Sequence, residues 1–132
     1  MTLSAWLRSI VTVLAVVAVS TACGADELSY SNKWRIQCSG DAESDGTIRF
    51  RVTPRGGDAT EVTVQVEDGR SENGVARDIR EAFREQLPSG TYDVETDDGE
   101  DVLLKKNFNE SNFALELISS TVDDVRINLD KE

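Results

Sequence analysis

Residues 47–66 read TIRFRVTPRGGDATEVTVQV, and they give the clearest indication of the fold class. Its apolar side chains alternate with polar ones on both sides of a Pro-Arg-Gly-Gly-Asp breaker, the period of two that a half-buried strand requires. Ile48, Phe50 and Val52 point one way in the first half, and residues 62–66 repeat the pattern in the second. Two such runs around a short glycine-containing connection predict an antiparallel β-hairpin.

The segment that follows the hairpin has the pattern of an amphipathic helix. Apolar residues recur at three- and four-residue spacing between residues 75 and 87, and Pro88 blocks continuation. Ser71 or Asn73 is suited to the N-cap. The sequence therefore predicts one helix at about residues 71–87, with an apolar stripe that needs a sheet to cover.

Five more stretches alternate as strands do. They are Trp34 to Cys38, Tyr92 to Thr96, Val102 to Lys106, Phe113 to Leu117 and Val125 to Leu129. Asp98-Gly99 suits a tight turn between the strand that begins at Tyr92 and the strand that begins at Val102. The strands that begin at Phe113 and Val125 are predicted to pair with each other. The order of three strands, one helix and four strands predicts an α+β fold. We expect a mostly antiparallel sheet of about seven short strands with the helix packed on it; a small sandwich with the helix as a lid is the alternative.

Charge and composition exclude several classes of function. The 132 residues hold 25 acidic and 14 basic side chains, and residues 1–22 contain only Arg8, so the rest of the chain carries 13 basic groups and a net charge of -12. Nucleic acid is not expected as a partner, because its binding depends on clustered Lys and Arg. The chain has no His, the commonest general base and metal ligand, and no Ser or Cys has a plausible base. We therefore expect no enzyme and no cofactor.

The N-terminus has the pattern of an export signal. Residues 10–19 form an apolar run of about ten residues, too short for a membrane-spanning helix and of the length of a signal-peptide core. The small residues Ser20, Thr21 and Ala22 follow directly. This pattern predicts a cleaved signal peptide over residues 1–22, a tether over 23–32 and a single small domain over 33–132.

The sequence Ser20-Thr21-Ala22-Cys23 resembles the lipobox of bacterial lipoprotein precursors, in which the Cys becomes N-terminal and lipid-modified. The resemblance covers only the first 24 residues. It implies acyl chains such as palmitate on Cys23, a membrane anchor through that lipid, and a place in the cell envelope, at the outer membrane or the periplasmic face. Gly24, in place of Asp, is compatible with the outer membrane.

A second interpretation stays open at this point, because the same small residues also suit the general signal peptidase. The protein would then be secreted or periplasmic and soluble, and a disulfide could join Cys23 to Cys38, the only other cysteine. Cys38 alternates with Trp34 and Ile36, however, which favours a buried thiol on an apolar strand face.

An acidic hairpin is the one candidate metal site. Asp93, Glu95 and Asp97 lie on the outward side of a predicted strand and offer the oxygen ligands that Ca²⁺ prefers, although their spacing does not match an EF-hand. A solvated, aggregation-resistant hairpin is the favoured interpretation, so we assign no metal.

The outward side of the early strands is basic, with Lys33, Arg35, Arg49 and Arg51. If these strands neighbour the acidic hairpin, cross-strand pairing explains both sets; if they do not, the basic side could dock a charged partner.

The function predicted first is a cell-envelope lipoprotein that binds or assembles another envelope component through protein contacts. The alternative is a secreted, disulfide-bridged module that binds cations or a small ligand.

Overall fold

The computed structural model describes residues 28–132. The predicted signal peptide and Cys23 lie outside the described residues. The elements follow in the order β1 (Lys33–Ser39), β2 (Gly46–Pro54), β3 (Thr60–Val66), α1 (Glu72–Gln86), β4 (Tyr92–Asp97), β5 (Asp101–Lys106), β6 (Phe113–Ser120) and β7 (Arg126–Lys131). All strand pairs within residues 28–132 are antiparallel, and this part of the chain has one helix, which confirms the α+β class and a mostly antiparallel sheet structure.

The seven strands form two sheets, so the prediction of a single sheet is wrong in this detail. One sheet has the order β4-β5-β1-β7 and the other β3-β2-β6. Seven strands side by side would span roughly 34 Å at 4.8 Å each, whereas one helix is only about 10 Å wide. A single helix cannot cover that many apolar strand faces, and the two sheets bury the remainder against each other.

The core lies between the two sheets and α1. Trp34, Ile36 and Cys38 of β1 are buried as predicted, and so are the apolar positions of the 47–66 hairpin. The ring centroids of Phe50 on β2 and Phe83 on α1 are 5.2 Å apart, which joins the three-stranded sheet directly to the helix. Aromatic pairs at this separation add to the stability that area burial provides.

Helix α1 begins and ends where its sequence requires. Ser71 is the N-cap, and its hydroxyl accepts a hydrogen bond from the Gly74 N–H at 3.1 Å. At the other end Leu87 leaves the helical conformation just before Pro88, as the residue before a proline tends to do. The buried side of the helix includes Val75, Ala76, Ile79, Ala82 and Phe83.

Two of the predicted strand pairings are present, and the third is wrong. β2 pairs with β3, and β4 pairs with β5 through a turn in which Asp98 and Gly99 both have positive φ, 50° and 79°. β6 and β7, expected to pair with each other, belong to different sheets: β6 pairs with β2 and β7 with β1. Their connection crosses between the sheets and buries Val122, which a tight hairpin turn would leave in water.

Successive elements run in opposite directions, so their connections alternate between two ends of the domain. We call one the acidic end and define it as residues 39–46, 66–72, 97–101 and 120–126. The other is the entry end, residues 28–33, 54–60, 86–92, 106–113 and 131–132, where the described chain begins.

The start of the described chain is held in place at the entry end. Ser31 and Phe113 exchange two backbone hydrogen bonds of 2.9 Å, and the Lys106 N–H donates to the Asn32 carbonyl at 3.0 Å. The Arg55 guanidinium lies 4.7 Å from the centre of the Tyr30 ring. Residues 30–32, the last part of the predicted tether, are thus bound to the fold.

Candidate functional site

The acidic end concentrates the negative charge of the protein. Twelve carboxylates lie there with two arginines, whereas the entry end holds four basic and three acidic side chains. The twelve are Asp41, Glu43, Asp45, Glu67, Asp68, Glu72, Asp97, Asp98, Glu100, Asp101, Asp123 and Asp124. The formal charge is -10 at the acidic end and +1 at the entry end, so charge is distributed very unequally between the two ends of the domain.

Hydrogen bonds join the loops of the acidic end to one another. The Glu43 N–H donates to the Asp123 carbonyl at 3.1 Å, and the Asp123 N–H donates to Ser44 Oγ at 2.9 Å. The Ala42 N–H donates to the Arg70 carbonyl at 2.8 Å. Backbone contacts therefore hold together three loops whose carboxylates repel one another.

The effect of this repulsion is seen in the pKa of Glu43. The negative charge of Asp124 raises the pKa of the Glu43 carboxyl, and partial loss of hydration, a hydrogen bond to Asp124 and the charges of Asp123 and Asp68 act in the same direction. Like charges disfavour the ionised form of a carboxyl group. The acidic end thus has an unrelieved excess of negative charge that a cationic surface could neutralise.

The three candidate metal ligands, to which no metal was assigned from the sequence, do not meet in one place. Asp93 and Glu95 are exposed on β4, and Asp97 accepts a hydrogen bond from the Arg35 guanidinium at 3.1 Å. Arg35 also binds Asp101 at 2.7 Å. Across residues 28–132 no three Cys, Asp or Glu side chains are grouped so as to hold a metal ion. Asp97 has a guanidinium as its cationic partner instead.

Arginine pairing accounts for most of the basic outward side of the early strands. Arg35 on β1 faces Asp97 and Asp101 across the sheet, as expected if β1 lies near the acidic hairpin. Arg49 and Arg51 on β2 belong to the other sheet, and both bind Glu61 on β3, at 2.6 and 2.9 Å. Charges on these strands are therefore largely neutralised within the sheets.

Cys38 is buried, as its position on an apolar strand face predicts. Its side chain is 2% exposed. Burial raises the pKa of the Cys38 thiol to about 12, and the nearby charges of Asp101, Glu72 and Glu100 add to the effect. A thiol in these surroundings is inert as a nucleophile.

Phe108 is the most exposed large apolar side chain among the described residues. It is 89% exposed in the β5–β6 loop at the entry end, against 37% for Leu117 and 36% for Ile118. Phe108 was not predicted as a site residue, although an isolated Phe in the otherwise polar run of residues 107–112 is a visible signal.

The two ends of the domain are thus its candidate functional surfaces. No helix in residues 28–132 combines the length and apolar character that crossing a membrane requires. None of the known protein families matches this sequence, and no curated protein matches it.

Proposed function

We propose that this chain is a lipid-anchored protein of the bacterial cell envelope that acts through protein contacts and not as an enzyme. The lipobox-like segment ending at Cys23 supports the anchor. The observation that carries the proposal is the place where the segment that follows Cys23 joins the fold: Ser31 is bound at the entry end, opposite the acidic end.

This position sets the orientation of an anchored domain. Only seven residues lie between Cys23 and Ser31, so the eight Cα–Cα steps of a fully extended chain reach about 29 Å at most. The seven residues of β1 then lead away from the entry end over roughly 23 Å. This distance exceeds the Debye length of about 8 Å at physiological salt, so anionic lipids would hardly repel the acidic end.

The acidic end is the surface we assign to a protein partner. Its excess charge steers a basic surface toward it, and the same field repels nucleic acid. Its loops are tied together by the Glu43, Ala42 and Asp123 hydrogen bonds, so little loop ordering would oppose binding. An envelope protein with a basic patch fits this surface.

The burial of Cys38 favours the anchor over the alternative of a Cys23–Cys38 disulfide. A disulfide requires Cα atoms about 4.4–6.8 Å apart and sulfur atoms in contact. Cys38 is 2% exposed and lies at the far end of β1 from Ser31. A bridge would require the preceding segment to return along the full strand and open the core.

Mass spectrometry of the N-terminal peptide tests the anchor. We would express the full chain in a bacterial host beside a Cys23→Ala variant, with Cys38→Ala as the matched control. The unaltered chain and the control should yield a processed peptide that begins with an acylated Cys23 and should sediment with membranes. An unmodified Cys23, or a disulfide-bonded one, in the unaltered chain would refute the anchor.

In-cell photo-crosslinking tests the protein contact. A photo-reactive side chain would replace Asp123 at the acidic end or, as a control, Asn109 at the entry end. Both positions are exposed loop residues. We expect a discrete protein adduct from position 123 that weakens when Asp98 and Glu100 are changed to Lys. Equal adducts from both positions, or adducts insensitive to these charges, would contradict the assignment.

A further inference from the structure

Phe108 sits next to the point where the chain enters the domain. It lines a surface depression of about 310 Å³ together with Asn32, Lys105, Lys106 and Asp93, and Asn107 completes the lining. Asn32 follows Ser31, the residue held by Phe113. The most exposed large apolar side chain of the described residues therefore lies beside the segment that leads back toward Cys23.

Lysines lie close to Phe108, and two of them, Lys105 and Lys106, line the same depression. Lys33 on β1 is directly opposite Lys105 on β5, and Lys106 is the next residue along the chain. The nearby acidic groups are Asp93, directly opposite Lys105 on β4, Glu110 in the same loop as Phe108, and Glu132, whose N–H donates to the Lys33 carbonyl. The Glu132 carboxylate is bound to Arg35. Three lysines against the other two carboxylates leave a positive patch on a chain whose net charge is -12 without residues 1–22.

We infer that the entry end is a second membrane contact, in which Phe108 inserts into the interface of an anionic bilayer and Lys33, Lys105 and Lys106 face the lipid phosphates. This inference rests on the proposed anchor at Cys23. The occupant is a lipid surface because an exposed aromatic ring flanked by lysines is complementary to the headgroup region of an anionic membrane. The limited reach of the segment between Cys23 and Ser31 also keeps this surface near the membrane.

A weak contact suffices for such docking. One aromatic ring and a few lysines would not hold a free protein on a bilayer, just as a single lipid chain is marginal. A tethered domain meets the surface at an effective concentration in the millimolar range, so the second contact is intramolecular. The tether alone permits many orientations of the domain relative to the membrane. Docking would select the one in which the entry end faces the membrane and the acidic end points away from it.

Tryptophan quenching by brominated lipids measures this contact. Lipidated protein would be reconstituted into vesicles of brominated phosphatidylcholine with roughly one-third phosphatidylglycerol, an anionic lipid. The Phe108→Trp variant reports on the entry end and the Glu67→Trp variant, at an exposed loop residue, on the acidic end. Trp34 is 7% exposed and gives both variants the same background. We expect quenching in Phe108→Trp to exceed that in Glu67→Trp at least twofold.

The lysines provide a second readout. Changing Lys33, Lys105 and Lys106 together to Gln in the Phe108→Trp background should reduce the quenching at least twofold, and so should replacing phosphatidylglycerol with phosphatidylcholine. Equal quenching of the two tryptophan reporters would overturn the inference. Equal quenching of Phe108→Trp in vesicles with and without phosphatidylglycerol would overturn it as well.

Flotation of the same vesicles separates this inference from the anchor. Protein that floats with vesicles but shows no preferential quenching in Phe108→Trp refutes the docking and leaves the anchor intact. Protein that does not float and carries no acyl chain on Cys23 overturns both.

Discussion

The acidic end and the entry end are built from connections of the same seven strands and one helix, yet they differ in charge, in apolar exposure and in how their loops are bound. The acidic end has twelve carboxylates and a set of loops bonded to one another. The entry end is close to neutral and exposes Phe108. The acidic end is therefore suited to a charged partner, and the entry end is suited to a partner with an apolar surface.

The uncompensated charge of the protein lies mainly in its connections and not on its strands. On the strands, arginines face carboxylates: Arg49 and Arg51 bind Glu61, and Arg35 binds Asp97 and Asp101. The connections contain most of the carboxylates without such partners. The strand faces therefore serve the fold, and the loops at each end carry the chemistry available to partners.

The largest expected effect concerns Cys38, which lies on the strand that leads into the acidic end. In a Cys23→Ala background Cys38 is the only thiol. Since burial and nearby carboxylates raise the pKa of this thiol from 9.0 to about 12, its thiolate fraction at neutral pH falls about 1000-fold, and alkylation requires the thiolate. Alkylation by iodoacetamide should be slower than in the denatured chain by at least that factor.

Mass spectrometry after timed quenching measures the two alkylation rates. A native rate within tenfold of the denatured one would show that Cys38 reaches solvent. It would also reopen the disulfide alternative.

The second prediction compares a glycine at each end. Gly40 at the acidic end and Gly56 at the entry end have φ of 86° and 78°, so alanine is strained at both. A Cβ on Gly40 would also collide with the Asp124 carbonyl oxygen, whereas one on Gly56 meets open space. We expect Gly40→Ala to lower the free energy of unfolding by about 3 kcal/mol and Gly56→Ala by about 1 kcal/mol.

Urea denaturation of the two variants gives this comparison directly. Equal losses would mean that the acidic-end loops separate at little cost. The packing of residue 40 against residue 124 would then not define a rigid surface.

Local patterns predicted the elements because each depends on near neighbours in the chain. Ser71 caps α1, and the 47–66 hairpin forms because alternation specifies which side chains are buried. Alternation does not specify which strand lies alongside. The β6–β7 pairing failed for that reason, since β2 and β1 offered better partners and Val122 could be buried between the sheets.

The candidate surfaces could have been found from the element order. In a chain of antiparallel elements, connections one, three, five and seven share one end. Counted with the one residue on either side, these connections contain twelve carboxylates, against two in the other three connections. The acidic residues of 93–101 were predicted to form one hairpin, and their proximity to those of 41–45 and 123–124 was not predicted. Phe108 was overlooked because a single apolar residue in a loop has no period.

The smallest expected effect is electrostatic and involves Glu43. Its pKa is raised in the folded protein, chiefly by Asp124, so the folded state binds this proton more tightly than the unfolded state. The contribution of Glu43 to stability therefore improves as pH falls through its folded pKa, and at neutral pH the ionised group opposes folding. Glu43→Gln should raise the melting temperature slightly at about pH 7, less so in high salt, and not at all once Glu43 is protonated.

Glu110→Gln is the matched control, because Glu110 is also an exposed loop carboxylate but lies at the entry end with Lys106 nearby. Its neutralisation should leave the melting temperature unchanged or lower it. Differential scanning fluorimetry at several pH values and two salt concentrations distinguishes the cases. If Glu43→Gln and Glu110→Gln raise the melting temperature by the same amount, repulsion between carboxylates is spread over the whole chain. The gain at position 43 alone would locate it at the acidic end, where a basic partner would relieve it in the same way as a proton.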